Sequence, residues 1–141
     1  MTEEAGKRRK PKKTAQDAVL DWERMPDDVR EGIEALRDKQ VEEIRVYDMR
    51  GFTPFCDFVI IGTVLSSAQS GVAKVAVTQA MEKSGVKLYG VEGEDDSSWL
   101  LIDFWDVVVH LFRPETRKYY SLETLWADLP WWPGNIDLPG A

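Results

Sequence analysis

Residues 90–126 constrain the fold of this chain more than any other run. Two strand-length segments rich in β-branched and aromatic residues, 99–102 and 107–112, stand either side of D-F-W-D, and such residues fit a pleated, half-buried surface. The spacing predicts a β-hairpin. Trp99, Leu101 and Asp103 share one face of its first strand, and Leu100 and Ile102 the other. On the return strand Asp106, Val108, His110 and Phe112 alternate with Val107, Val109 and Leu111, leaving Phe104 and Trp105 for the turn. Ahead of the hairpin a glycine-punctuated loop carries Glu92, Glu94, Asp95 and Asp96. With Asp103 and Asp106, six carboxylates fall within fifteen residues that contain no lysine or arginine. Behind the hairpin, Pro114 suits the first turn of a helix led by Glu115 and anchored by Tyr119, Tyr120, Leu122, Leu125 and Trp126.

The rest of the chain supplies partners for that hairpin. Val29, Ile33, Leu36 and Gln40 recur at helical spacing behind Asp27 and Asp28 as cap candidates. E-E-I-R-V-Y-D over 42–48 alternates as a strand does, with Ile44 and Val46 opposite Arg45 and Tyr47, and 49–55, holding Gly51 and Pro54, is a loop. Residues 57–62 (D-F-V-I-I-G) form a continuous apolar run, expected as a central strand covered on both faces. A second helix follows, capped by Ser66 or Ser67, stopped at Ser84-Gly85, with Val72, Val75, Ala76, Ala80 and Met81 as its apolar stripe. Residues 86–89 make a short strand. This order predicts an α/β fold: a mixed sheet of about five strands with helices packed on both faces.

Its 141 residues fit one domain and suffice for a core without disulfide or zinc, since Cys56 is the only cysteine and His110 the only histidine. Charge is unevenly placed. Residues 1–13 hold six basic residues against two acidic ones, leaving 12 basic and 23 acidic residues, or −11, for the remainder. Residues 1–28 read as a basic, mostly disordered tail with at most one helical turn, 29–128 as the folded domain, and 129–141 as a Pro/Trp-rich tail unlikely to form a regular element, though Trp131 and Trp132 point to its docking somewhere. No run approaches a membrane span and no apolar signal segment opens the chain, so a soluble, cytoplasmic protein is expected. An acidic body favours a basic protein partner. The basic tail is a candidate RNA contact, against the plainer reading of a solvated charge run.

The motifs G-V-E-G-E (90–94), Trp99, Asp103 with D-V-V-V-H (106–110) and P-E-T-R-K-Y-Y-S-L-E-T-L-W (114–126) together resemble the Iojap family, the ribosomal silencing factors, over roughly residues 29–128. The resemblance implies a nucleotidyltransferase-like topology without chemistry. It also implies binding to the large ribosomal subunit through the basic ribosomal protein numbered fourteen, blocking of small-subunit joining, lowered translation when nutrients are scarce, a role of organelle relatives in large-subunit biogenesis, and a homodimer when free. It assigns the contact to the acidic loop and hairpin, with Glu92, Glu94, Asp95, Trp99, Asp103 and Asp106 as the partner-binding candidates. The chain departs from the family pattern in two places. Residues 64–68 lack a Gly-Thr and an Arg, and Trp105 replaces a turn glycine, which predicts altered turn geometry because Trp avoids positive φ.

The competing reading is a metal-dependent nucleotidyltransferase-like enzyme or nucleotide binder using Asp57, Asp103 and Asp106. Neither a P-loop nor a Gly-Ser followed by D-x-D supports it, so no catalytic residue, metal or cofactor is assigned. His110 is expected as a hydrogen-bonded strand residue rather than a base, and Cys56 as a small apolar filler.

Overall fold

A computed structural model describes residues 20–94 and 98–133. A 3-10 turn at Trp22–Arg24 leads into α1 (Asp27–Asp38), followed by β1 (Glu42–Asp48), β2 (Phe58–Thr63), α2 (Ser67–Lys83), β3 (Gly90–Glu92), β4 (Trp99–Asp103), β5 (Val107–Phe112), α3 (Pro114–Tyr120), α4 (Leu122–Leu125) and β6 (Trp131–Trp132). The strands form one six-stranded sheet in the order β3-β4-β5-β2-β1-β6, with β2 and β5 parallel and every other pair antiparallel. The fold is α/β with a mixed sheet.

Alternation along the strands decides which core each side chain joins. Ile44, Val46, Ile60, Leu100, Ile102, Val109 and Leu111 point to the side covered by α1 and α2, where Val29, Ile33, Leu36, Ala73, Val77 and Met81 meet them. Tyr47, Val59, Ile61 and Phe112 point to the other side, beneath Leu122, Trp126, Leu129 and Trp131. Central β2 is buried along its whole length, as its unbroken apolar run requires. Gly62 sits where a Cβ would come within 2.4 Å of Val41 Cγ1, so the entry to β1 packs against bare backbone there.

Ser66 caps α2 by accepting the Gln69 N–H, one of the two caps expected. Other details differ from the sequence reading. The buried stripe of α2 is Ser70, Ala73, Val77 and Met81, while Val72 and Val75 face outward. Small apolar residues surround this helix, so spacing alone did not single out a face. Gln40 lies beyond the end of α1 at φ 64°. The strand expected at 86–89 begins instead at Gly90, because the ladder to β4 pairs Gly90 with Asp103, Val91 with Ile102 and Glu92 with Leu101.

The composition-based boundaries at 28 and 128 fall inside the packed body. Leu20 and Met25 are buried, Leu20 N–H donates to the Trp131 carbonyl at 2.7 Å, and Trp131–Trp132 adds a strand to β1. Prolines 130 and 133 flank this short strand without interrupting it, and Trp132 supplies enough apolar surface to hold it down. The basic run at residues 7–13 lies outside the described residues.

Candidate partner-binding site

The sheet face away from α1 and α2 is unevenly covered. Over β1 and β2 it is sealed by α4 and the residues after it. The β3-β4-β5 half is covered at its Trp99–His110–Phe112 end by Tyr120 and Trp126, and beyond them Leu101, Asp103 and Val108 are half-buried. Directly paired residues point to the same side of a sheet, so the ladder sets Glu92 beside Leu101 beside His110, and Asp103 beside Val108.

Trp99 stands at the edge of this open half, partly buried and held from several directions. Its ring centroid lies 4.8 Å from that of Phe112, 4.6 Å from Tyr120 and 5.9 Å from His110. Its indole N–H donates to His110 Nδ1 at 3.1 Å, which assigns the ring proton of the neutral imidazole to Nε2. Burial pushes the His110 pKa down to about 4, so the ring is neutral at pH 7 and serves as an acceptor that orients the tryptophan. This is the strand role expected for it.

Tyr120 is positioned by an ion pair that the sequence reading did not identify. The buried Arg117 guanidinium donates from Nε to Glu123 at 2.6 Å and from Nη1 to Thr63 Oγ1 at 2.8 Å, tying α3 and α4 to the end of β2. Between α3 and α4 the backbone turns sharply at Ser121, with φ 47°. Arg117 and Glu123 are six residues apart across that break, outside the three- and four-residue spacings by which helical ion pairs are found.

The acidic candidates divide among different surroundings. Glu92 lies on the open sheet face. Glu94 is paired with Lys74 of α2 at 2.6 Å and is drawn toward the helix layer, so the loop does not present its acids as one group. Asp95 lies outside the described residues. Gly93, at φ 89°, lets the chain pass so near the Trp99 carbonyl that a Cβ would lie 2.2 Å from it. At the far end of the hairpin, Asp103 accepts the Trp105 N–H at 2.8 Å, and the Asp57 N–H donates to the Asp106 carbonyl at 2.7 Å. Burial pushes the Cys56 thiol up, and the nearby carboxylates of Asp57, Asp103 and Asp106 push it further. Cys56 is therefore a protonated filler rather than a reactive thiolate. Among the described residues no group of three or more His, Cys, Asp or Glu side chains could hold a metal ion.

The hairpin turn corrects one expectation. Phe104 is buried and paired with Val107, so Trp105 and Asp106 form a two-residue loop, and Trp105 takes the positive φ of 78° that a glycine would take. The tryptophan adopts the left-handed backbone and bears its strain. Its exposed indole packs edge-on against exposed Tyr89, with ring centroids 4.8 Å apart.

Comparison with known proteins fits this arrangement. The family model for the ribosomal silencing factor during starvation matches residues 23–139. A ribosomal silencing factor from Bacillus subtilis is 35% identical over 96 residues, which make up 68% of this chain and 81% of that protein. The chloroplastic Iojap protein of Zea mays is 34% identical over 97 residues, 67% of this chain and 41% of that protein. A crystal structure of a Chromobacterium violaceum protein superposes with a TM-score of 0.68 at 30% identity, covering 81% of this chain and 90% of that one. The chain, which is also similar to the chloroplastic Iojap protein, belongs to the ribosomal silencing factor family.

Proposed function

We propose that this protein is a non-catalytic translation repressor that docks on the large ribosomal subunit, on the basic ribosomal protein numbered fourteen, and blocks joining of the small subunit under nutrient limitation. The observation that carries this reading is the open β3-β4-β5 face. Trp99 is fixed there by His110 and Tyr120, Glu92 and Asp103 border it, and Asp106 lies at its end, in a stretch from 90 to 112 without one lysine or arginine. A rigid aromatic supplies contact energy at little entropic cost, and the carboxylates steer and orient a basic partner. Asp95 joins the same proposal from the neighbouring loop, whereas the pairing of Glu94 with Lys74 makes it a weaker contributor. A cytoplasmic site of action and an RNA contact by the basic residues 7–13 belong to the proposal; no helix among the described residues is long and apolar enough to cross a membrane.

The test is co-sedimentation of the full chain with isolated large subunits at two salt concentrations, with and without small subunits. Wild type is expected to bind in a salt-sensitive manner and to reduce the yield of joined ribosomes. Glu92→Lys with Asp103→Lys is expected to weaken binding by tenfold or more, as is Tyr120→Ala, which removes the support of Trp99. Undiminished binding in both variants would place the contact elsewhere.

A further inference from the structure

We infer that the outer face of the helix layer, on the opposite side of the sheet from Trp99, is a second docking surface that takes an amphipathic helix of a basic protein. The inference stands apart from the ribosomal reading. It begins with the side of α2 that does not face the sheet. Val72 and Val75 are each 51% exposed there, and Leu65, just ahead of the helix, is 54% exposed. Within the helix, Ala68, Val72, Val75 and Ala76 follow a spacing of three and four residues and form one stripe, with Leu65 ahead of it, before the extended cap residue Ser66. The stripe borders a groove of about 530 Å³ lined by Ala68, Gly71, Val72, Val75 and Ala76, with Lys39, Ser67 and Gln79 at its margins. Leu65 and Ala68 belong to the segment in which this chain departs from the family pattern.

Charge selects the occupant. The groove continues, through Lys39, Ala76 and Gln79, into the furrow between α1 and α2. Along that furrow Glu31, Glu34 and Asp38 stand exposed at helical spacing on α1, and Glu82 adds a fourth carboxylate against Lys39 and Lys83. An apolar stripe beside a parallel row of carboxylates matches a helix with leucine-like residues on one side and lysine or arginine on its flank. Two turns or more can lie along it, since the 17 residues of α2 span roughly 25 Å. A second copy of this chain is disfavoured as the occupant, because it carries the same net negative charge.

A labelled synthetic peptide of about 18 residues, five helical turns, with leucine and alanine on one side and lysine on the flanks, is titrated into the full chain by fluorescence anisotropy. It is expected to bind at least tenfold more tightly than a peptide of the same composition in which the leucines encircle the helix. Val72→Glu with Val75→Glu should weaken binding about tenfold, and Glu34→Lys with Asp38→Lys several-fold. Glu92→Lys should leave it unchanged. Far-ultraviolet circular dichroism verifies folding of each variant, and Val72→Ser with Val75→Ser replaces the first pair should it unfold. Equal binding of the two peptides, or no loss in either groove variant, overturns the inference. So does a dimer, seen by sedimentation velocity, that dissociates on Val72→Glu with Val75→Glu, because the occupant is then a second copy. Large-subunit co-sedimentation separates this site from the sheet face: it is expected to survive the groove substitutions, and its loss would merge the two surfaces into one.

Discussion

Trp105 holds φ at 78° in the first position of a two-residue turn, a place where glycine is ordinarily found. An L-residue with a Cβ pays about 1–2 kcal/mol there, and the exposed edge contact with Tyr89 returns at most about 1 kcal/mol. This gives an inverted ranking. Alanine normally stabilises a site relative to glycine by restricting the unfolded chain, but at positive φ the order reverses. Both Trp105→Ala and Trp105→Gly lose the indole, so the glycine variant should be the more stable by about 1 kcal/mol. Urea midpoints measure this, and an alanine variant as stable as the glycine variant would show that the turn relaxes to a negative φ. At the level of single residues the candidate site was partly legible. The chemistry of Glu92, Trp99, Asp103 and Asp106 could be read from residue type and alternation. The diversion of Glu94 to Lys74 and the Arg117–Glu123–Thr63 clamp could not, because both depend on contacts between elements distant in sequence.

Among the elements, those with strong periodicity were legible and those made by pairing were not. Strand β1 alternates and appears where its pattern places it, and the apolar run of β2 appears as the central strand. Strand β3 is three residues long and exists because β4 offers it a ladder; nothing in its own residues fixes its bounds. Strand β6 is the clearest case. Two residues among prolines carry no strand signal, yet Trp132 is buried against Trp22 at 5.0 Å and pairs with Val46. Trp131 remains partly exposed, stacked on Tyr47 with the Arg45 guanidinium 4.4 Å from its ring. Trp132→Ala should therefore cost about 3–5 kcal/mol, and Trp131→Ala about 1–2 kcal/mol, since it forfeits only part of its burial and an exposed cation–π contact. Guanidinium denaturation distinguishes the two. Equal, small losses would mean that the segment after α4 does not hold the first residues of the fold in place.

At the scale of the whole molecule, the one histidine couples global stability to pH. His110 has an unfolded pKa near 6.5 and a folded pKa pushed down to about 4 by burial. Above pH 6.5 the ring is neutral in both states and stability is at its plateau. As pH falls below 6.5 the unfolded chain takes up a proton that the folded one refuses, so stability declines until the folded pKa is passed. Between pH 7 and pH 5 this linkage removes about 2 kcal/mol. The opposing effect has the wrong sign to imitate the decline: approach to the isoelectric point near 4.8 relaxes the net negative charge and favours the compact state. Only near and below pH 4, where the folded ring itself takes up a proton, would protonation at Nδ1 remove the acceptor for the Trp99 indole and free the aromatic anchor of the open face. Urea titrations at pH 7, 6 and 5 on wild type and His110→Gln measure the coupling. The variant keeps an acceptor for Trp99 but cannot take up the proton, so its stability should vary little over the range where wild type declines. A flat wild-type curve would show that the folded state does not hold the His110 ring neutral, and an equal decline in the variant would assign the pH dependence to other groups; either outcome removes His110 from the account.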